Sequence, residues 1–293
     1  MRPATIEDVP GIKALAETVG GSGWWGAEQR RGAGPGDEIR LVEEDGGEIV
    51  AYGAIWRRKQ SIFGLDMLVH PRARDRGLGG RFVDRLFEEL GNLGATAVET
   101  RVDADHPDAL RFLVRRGFFE LNRLERVRRD LTAGEIAIDP PPPGVTIASL
   151  AEARTPDTDR ALHEMLSASF RERPISYLEP FDERPLDELT AELDRAIAEG
   201  SFVATGGGAL VGFSGIAPGP QPDRVIAFLT AVVPDRQRHG LARSLKQRAL
   251  AYAKRAGFHW AYADSPNRVM QELNERLGFV RYAPTEIRMG RRL

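Results

Sequence analysis

One pattern constrains this chain more than any other: a succession of turns, strands and glycines in its first half recurs in its second. Residues 41–56 form two apolar stretches around Asp45-Gly46-Gly47, and residues 202–216 repeat them around Gly206-Gly207-Gly208, each a hairpin signature. An apolar strand follows, ending at Leu68-Val69-His70-Pro71 in one copy and at Val232-Val233-Pro234 in the other. Then comes a helix, with apolar residues three and four apart: Phe82, Leu86 and Leu90, or Leu241, Leu245, Ala249 and Tyr252. Gly94 and Gly257 fall where these helices stop, and strands at 97–102 and 260–263 come next. A second helix in each half closes on Gly117-Phe118 or Gly278-Phe279 before a final strand. A repeat this long is a duplicated domain and not a solenoid unit. Its order predicts an α/β (α+β) fold, a mixed and mostly antiparallel sheet flanked by helices, made twice.

Between the copies lies Asp139-Pro140-Pro141-Pro142-Pro143-Gly144, a stiff extended run that neither a helix nor a central strand absorbs. The expected division is therefore a first domain at 1–138, a linker at 139–144 and a second domain at 145–293. With 293 residues the chain is long enough for two domains that each bury a core.

Composition removes several kinds of chemistry. There is no cysteine, so disulfides, thiolate metal ligands and a cysteine nucleophile are excluded. The five histidines show no H-x-x-x-H spacing, and no metal is expected. A net charge of −2 gives neither half the basic character of a nucleic-acid domain, so no nucleic acid is expected as a partner. No apolar run reaches the ~18–20 residues of a membrane helix, and Met1-Arg2-Pro3-Ala4-Thr5 lacks a signal architecture, so no membrane partner and a cytoplasmic location are expected.

The loop between the apolar strand and the next helix carries the chemistry. It reads Arg74-Asp75-Arg76-Gly77-Leu78-Gly79-Gly80 in the first half and Gln237-Arg238-His239-Gly240-Leu241-Ala242-Arg243 in the second, both R/Q-x-x-G-x-G/A. Small residues there let main-chain N–H groups approach an anion, and the helix N-terminus favours negative charge. Two loops in matched register, each with the same proline before it and the same Gly-Phe after it, point to a diphosphate ligand. The G-K-S/T of a nucleoside triphosphate loop and the G-x-G-x-x-G of a dinucleotide fold are both missing.

At these residues the chain resembles the GNAT N-acetyltransferases, whose R/Q-x-x-G-x-G/A loop carries the pyrophosphate of acetyl-CoA. The resemblance spans nearly the whole chain, once per half. The second half is further similar to the branch of that superfamily that includes mycothiol synthase, in architecture and not in substrate. That similarity rests on Thr230-Ala231-Val232, Gly240-Leu241-Ala242, Leu245-Lys246 and the string Asn267, Met270, Asn274, Leu277-Gly278-Phe279.

The resemblance implies an acyltransferase that uses acetyl-CoA as cosubstrate. Coenzyme contacts are expected from Leu68, Val69 and the loop 74–80 in the first half, and from Val232, Val233, the loop 237–243 and Asn267 in the second. The acetyl group then goes to a primary amine of a small molecule or peptide by direct attack, with a backbone N–H polarising the thioester carbonyl. The alternative is a CoA-binding pseudoenzyme or regulatory pair without turnover. Two departures from the family keep that alternative open. The tyrosine acid four residues before Gly-Phe is replaced by Leu113 and Asn274, and the glutamate base six residues before the strand valine falls at Phe63 and Ile226. Asp66, Asp264, Tyr177, Tyr282 and Glu286 are the remaining candidates for acid or base. Trp24, Trp25 and residues 170–181 are expected on the acceptor side, and the chain is expected to be either a monomer of two packed domains or a homodimer.

Overall fold

The computed structural model describes residues 1–20, 38–59, 61–172, 178 and 185–293. The first half contains β1 (Arg2–Pro3), α1 (Val9–Thr18), β2 (Glu38–Asp45), β3 (Glu48–Lys59), β4 (Ile62–Val69), α2 (Leu78–Asn92), β5 (Ala97–Asp103), α3 (Pro107–Arg115) and β6 (Phe119–Asp130). The second contains β7 (Val145–Ser149), α4 (Leu150–Ala153), α5 (Pro156–Glu172), α6 (Leu186–Asp194), β8 (Phe202–Gly206) and β9 (Ala209–Pro218). It continues through β10 (Arg224–Val232), α7 (Leu241–Arg255), β11 (Trp260–Ser265), α8 (Arg268–Arg276), β12 (Val280–Arg281) and β13 (Glu286–Arg292).

The two hairpins form where the glycines put them. Gly46 and Gly47 have φ of 64° and 82°, and Gly207 and Gly208 have 62° and 81°, the left-handed pair of a two-residue turn that suits strand twist. Helices α2 and α7 then pack on the middle strands of these hairpins. A Cβ at Gly53 would stand 2.8 Å from the Phe82 ring, and one at Gly212 would stand 3.1 Å from Leu245, so glycine sets the closeness of each helix to its sheet. The apolar stripe of α2 buries Phe82, Val83, Leu86 and Leu90 completely, each contributing about 1.5–3 kcal/mol by transfer from water.

The chain divides into two compact units whose boundaries differ from the 1–138 and 145–293 division. Unit 1 comprises Met1–Val102, His106–Leu121 and Arg288–Leu293; unit 2 comprises Asp103–Asp105 and Asn122–Ile287. In unit 1 the strand order is β1-β2-β3-β4-β5-β13, and in unit 2 it is β7-β8-β9-β10-β11-β6, with β12 also on β6. Each half of the sequence thus sends its final strand to the sheet of the other unit. In unit 2 the pairing of β6 with β11 is antiparallel from Trp260↔Asp130 to Ser265↔Glu125. Repeated sequence marks where a domain was copied; which sheet a last strand joins depends on backbone hydrogen bonds that any side chain permits.

The swapped strands take matching positions. In unit 1 the Arg291 guanidinium donates to the Arg116 carbonyl just past α3 and lies 4.6 Å from the Phe87 ring centroid. In unit 2 the Arg129 guanidinium donates to the Leu277 carbonyl just past α8. A cation at the carbonyl end of a helix satisfies orphan acceptors and opposes the helix dipole. The proline run belongs to unit 2, where its first residue is fastened to α7: the Asp139 N–H donates to Gln247 Oε1 at 2.9 Å, and the Asp139 carbonyl accepts from Ser244 Oγ and Arg248.

Candidate coenzyme and acceptor sites

The two loops share one backbone design. In the first, His70 N–H donates to the Val50 carbonyl at 2.8 Å, the chain makes a 3-10 turn at Pro71–Ala73, and Arg74 Nε reaches back to the Val69 carbonyl at 3.2 Å. In the second, Val233 N–H donates to Val211 at 3.1 Å, the turn is Pro234–Arg236, and Gln237 Nε2 donates to the Val232 carbonyl at 2.9 Å. Asp75 and Arg238 both adopt positive φ, 60° and 63°, a conformation that costs a non-glycine residue about 1–2 kcal/mol. Gly77 and Gly240 cap the helices in the left-handed region with no side-chain cap bond.

That arrangement suits a diphosphate. The N–H groups of Leu78, Gly79 and Gly80, and of Leu241, Ala242 and Arg243, have no acceptor inside their helices. No side chain caps them at Gly77 or Gly240, and a Cβ at either glycine would project into open space. The mouth of each helix is a basin of donors that the protein does not fill. Arg74, Asp75, Arg76, Arg238 and His239 stand around the two rims, whereas the Arg243 guanidinium is held by Asp139 at 2.9 Å.

The strand before each loop parts from its parallel neighbour. β4 pairs with β5 only from Ile62↔Ala97 to Gly64↔Glu99, and β10 pairs with β11 only from Arg224↔Trp260 to Ile226↔Tyr262. Beyond Gly64 and Ile226 the strands run on to Leu68-Val69 and Val232 without that partner, leaving a main-chain edge for an extended ligand. Asn267 caps α8 through Oδ1, which accepts the Val269 N–H at 3.0 Å. Its counterpart His106 makes no cap bond on α3.

At the point of parting the two units differ. β10 carries a bulge: its register against β9 shifts between Ala227 and Leu229, so Phe228 is one residue too many and its backbone leaves the ladder. From Ala51↔Val69 to Arg57↔Phe63, β4 pairs with β3 without a shift. In unit 1, among the described residues, bulky side chains crowd the corresponding strands. The Trp56 indole lies against Gly64, where a Cβ would come within 2.2 Å of it, and Phe63 is fully buried under the Arg57 guanidinium. Arg58 pairs with Glu99, and Asp66 is 4% exposed.

In unit 2 there is a groove of about 550 Å³, lined by Glu192 and Arg195 of the α6 end, Ala217 and Pro218 of β9, and Ile226 and Phe228 of β10. Ile226 is paired with Tyr262, whose ring meets that of Tyr282 edge-on at 5.0 Å. Burial and then Asp264 push the Tyr282 phenol up, so it stays protonated as a donor. Asp264 and Tyr282 therefore share a neighbourhood. Glu286 acts on Arg126, which pairs with Asp103 at 2.7 Å. Tyr177, Trp24, Trp25 and Phe181 lie outside the described residues. Among the described residues no group of three His, Asp or Glu could hold a metal, and no helix is long and apolar enough to cross a membrane.

Sequence reasoning missed the bulge at Phe228, and the groove contributions of Glu192 and Arg195. A bulge is a matter of register against a neighbouring strand, and nothing within residues 224–232 announces it. Glu192 sits in an ordinary polar helix face.

Two strands parted next to a donor-lined helix mouth, once in each unit, define the class of acyl-CoA N-acyltransferases, and comparison with known proteins agrees. The profile of the Acetyltransferase (GNAT) family matches residues 22–118 and again 160–279. The chain belongs to that family and is a GNAT N-acetyltransferase with two tandem domains. It is similar to the mycothiol acetyltransferase of Saccharopolyspora erythraea, with 28% identity over 88% of this chain and 86% of the relative. The corresponding protein of Rhodococcus opacus is 30% identical over 86% of this chain and 82% of its own length. Among solved structures, a GCN5-related N-acetyltransferase from Sphaerobacter thermophilus shares the fold at a TM-score of 0.79 and 21% identity, covering 99% of this chain and 94% of that one. A tandem GNAT protein from the clavulanic acid biosynthesis pathway does so at 0.71 and 17%, covering 99% and 97%.

Proposed function

We propose that the chain moves an acetyl group from acetyl-CoA to a primary amine of a small molecule or peptide, and that unit 2 performs the transfer. The bulge at Phe228, opening beside a groove, supports this assignment. When bound, acetyl-CoA supplies the acetyl group as a thioester. The donor basin at Gly240 holds its diphosphate, and the unpartnered edge of β10 carries the pantetheine arm.

The remaining work falls to this chain's own groups. An amide freed from the ladder at the Phe228 bulge donates to the carbonyl oxygen that gains charge in the transition state. The groove seats the acceptor with Ile226, Pro218 and Phe228 against its carbon skeleton and Glu192 near a cationic end. Tyr282 and Asp264 lie where a proton from the amine can leave. In unit 1 the loop is equally able to hold coenzyme, but Trp56, Phe63 and the Arg58–Glu99 pair occupy the acceptor's place. Unit 1 is the part to which the reading of a CoA-binding domain without turnover applies.

Calorimetric titration of acetyl-CoA into wild type, Gly77→Glu and Gly240→Glu, with thiol release measured over a panel of amines, tests this. The panel holds aminoglycosides, polyamines, amino acids and N-terminal peptides. Expected is amine-dependent release that survives Gly77→Glu and is lost in Gly240→Glu. Release lost in Gly77→Glu alone would refute the assignment to unit 2, and stabilisation by acetyl-CoA with no release from any amine would favour the pseudoenzyme.

A further inference from the structure

Four residues before Gly278-Phe279, helix α8 carries Asn274. It is 1% exposed, and its Oδ1 has no hydrogen-bond partner among the described residues. A second polar group is stranded on α7. Lys246 is 3% exposed, and among the described residues its ammonium has neither a carboxylate nor a hydrogen-bond acceptor; Nζ faces the Phe279 ring at 5.7 Å from the centroid. Burying an ammonium against nothing better than a ring face is unfavourable, because the attraction recovers a minor part of the lost hydration. Desolvation alone lowers it to about 8.

The position of Lys246 along α7 shows what it faces. Leu241 and Leu245 pack with Val211 and Val232, level with the end of β10. Ala249, Leu250 and Ala253 pack with Val225, Ala261 and Ala263, where β10 and β11 are still hydrogen-bonded. Lys246 falls between these two groups along α7 and shares a helical stripe with Leu250 and Ala253; the ring it faces, Phe279, packs in one cluster with Ala261 and Ala263 of β11, the strand from which β10 parts after Ile226↔Tyr262. A thioester held in the gap between β10 and β11 would bring its sulphur toward this side chain.

Resting on the assignment of unit 2 as the transferase, we infer that Lys246 is the acid that protonates the coenzyme sulphur as it leaves. The amine nitrogen forms its bond to the acyl carbon, the carbon–sulphur bond breaks, and sulphur keeps the electron pair and takes a proton from Nζ. The nitrogen gives one proton to solvent and neutral Lys246 recovers one, so the reaction neither gains nor loses protons. The proton comes from α7 because Asn274, the buried polar residue of α8, is an amide and not an acid.

The test reads the thiol of bound coenzyme. Free CoA is added to wild type, Lys246→Met and Lys246→Arg, binding is measured by calorimetry, and thiolate absorbance is followed from pH 6 to 10. A neighbouring ammonium favours thiolate, so in wild type the bound thiol titrates at least one pH unit below free CoA, jointly with Lys246. Lys246→Met abolishes that shift while coenzyme still binds. Lys246→Arg keeps the shift, since the charge remains, yet lowers amine-dependent turnover by about 10²-fold because a guanidinium does not release its proton. An identical thiol titration in wild type and Lys246→Met overturns the inference and leaves the transferase assignment standing. Absence of CoA binding to wild type overturns both.

Discussion

Gln237 Nε2 donates to the carbonyl of Val232 at 2.9 Å, tying the start of the loop to the end of the strand it has just left. Arg74 does the same to Val69 at 3.2 Å. The bond explains why this position accepts arginine or glutamine: both present an N–H at the end of a side chain long enough to span the 3-10 turn. With that strut in place, the next residues are driven into the left-handed region and the helix begins with its donors facing outward.

Gln237→Leu keeps the volume and removes the strut. Acetyl-CoA affinity of unit 2 should fall about tenfold, the value of one neutral hydrogen bond that orders a binding loop. Gln237→Arg should restore it, because Arg74 makes the equivalent bond. Calorimetry in a Gly77→Glu background isolates the affected site.

Removing Arg288–Leu293 should loosen unit 1 although the segment is last in the sequence. Leu293 N–H donates to the Thr96 carbonyl at 2.9 Å, and Arg291 caps the end of α3. Hydrogen exchange should show lost protection in β5 (Ala97–Asp103) with β11 (Trp260–Ser265) unchanged. Equal loss in both would contradict the strand assignment.

The buried ammonium of Lys246 makes stability depend on pH in a definite direction. Its folded value is lowered to about 8 from 10.5, so between those values the unfolded chain binds more protons and stability rises with pH. Below about 8 both states are charged and the penalty is fully present. Lys246→Met should therefore raise the midpoint of thermal unfolding at pH 7, by a gain on the order of 2–3 kcal/mol, and should flatten the rise between pH 8 and 10.5.

Asn267 separates two roles by its two atoms. Oδ1 caps α8, which is worth about 1 kcal/mol, and the amide Nδ2 takes no part in that cap, which on the proposed function leaves it for the coenzyme arm. Asn267→Asp should keep the cap and the stability while weakening acetyl-CoA binding; Asn267→Ala should lose both. Thermal unfolding and calorimetry on the two variants check this.

Much of the site was legible in sequence because glycines report backbone needs directly. Gly46-Gly47, Gly207-Gly208, Gly77, Gly94, Gly117, Gly240, Gly257 and Gly278 all adopt positive φ, so each marked a real turn or helix end. The catalytic side was not legible. Asp66 and Asp264 look alike as strand-end carboxylates, yet Asp66 is 4% exposed and Asp264 lies close enough to Tyr282 to push its phenol up. Lys246 follows Leu245 in a helix with a wide apolar face, and its burial against Phe279 is a tertiary contact with the residue just past α8.

By itself the sequence determined the duplication, the strand and helix order of each copy, and the two donor-lined helix mouths. These depend on local dihedral preferences and on periodicity along the chain. Tertiary structure alone decided that β6 and β13 change sheets, that β10 bulges at Phe228 while β4 does not, and that the Lys246 ammonium is buried against Phe279. Those outcomes depend on backbone hydrogen bonds between distant segments and on solvent exclusion by many residues at once, and neither is written in any short stretch of the chain.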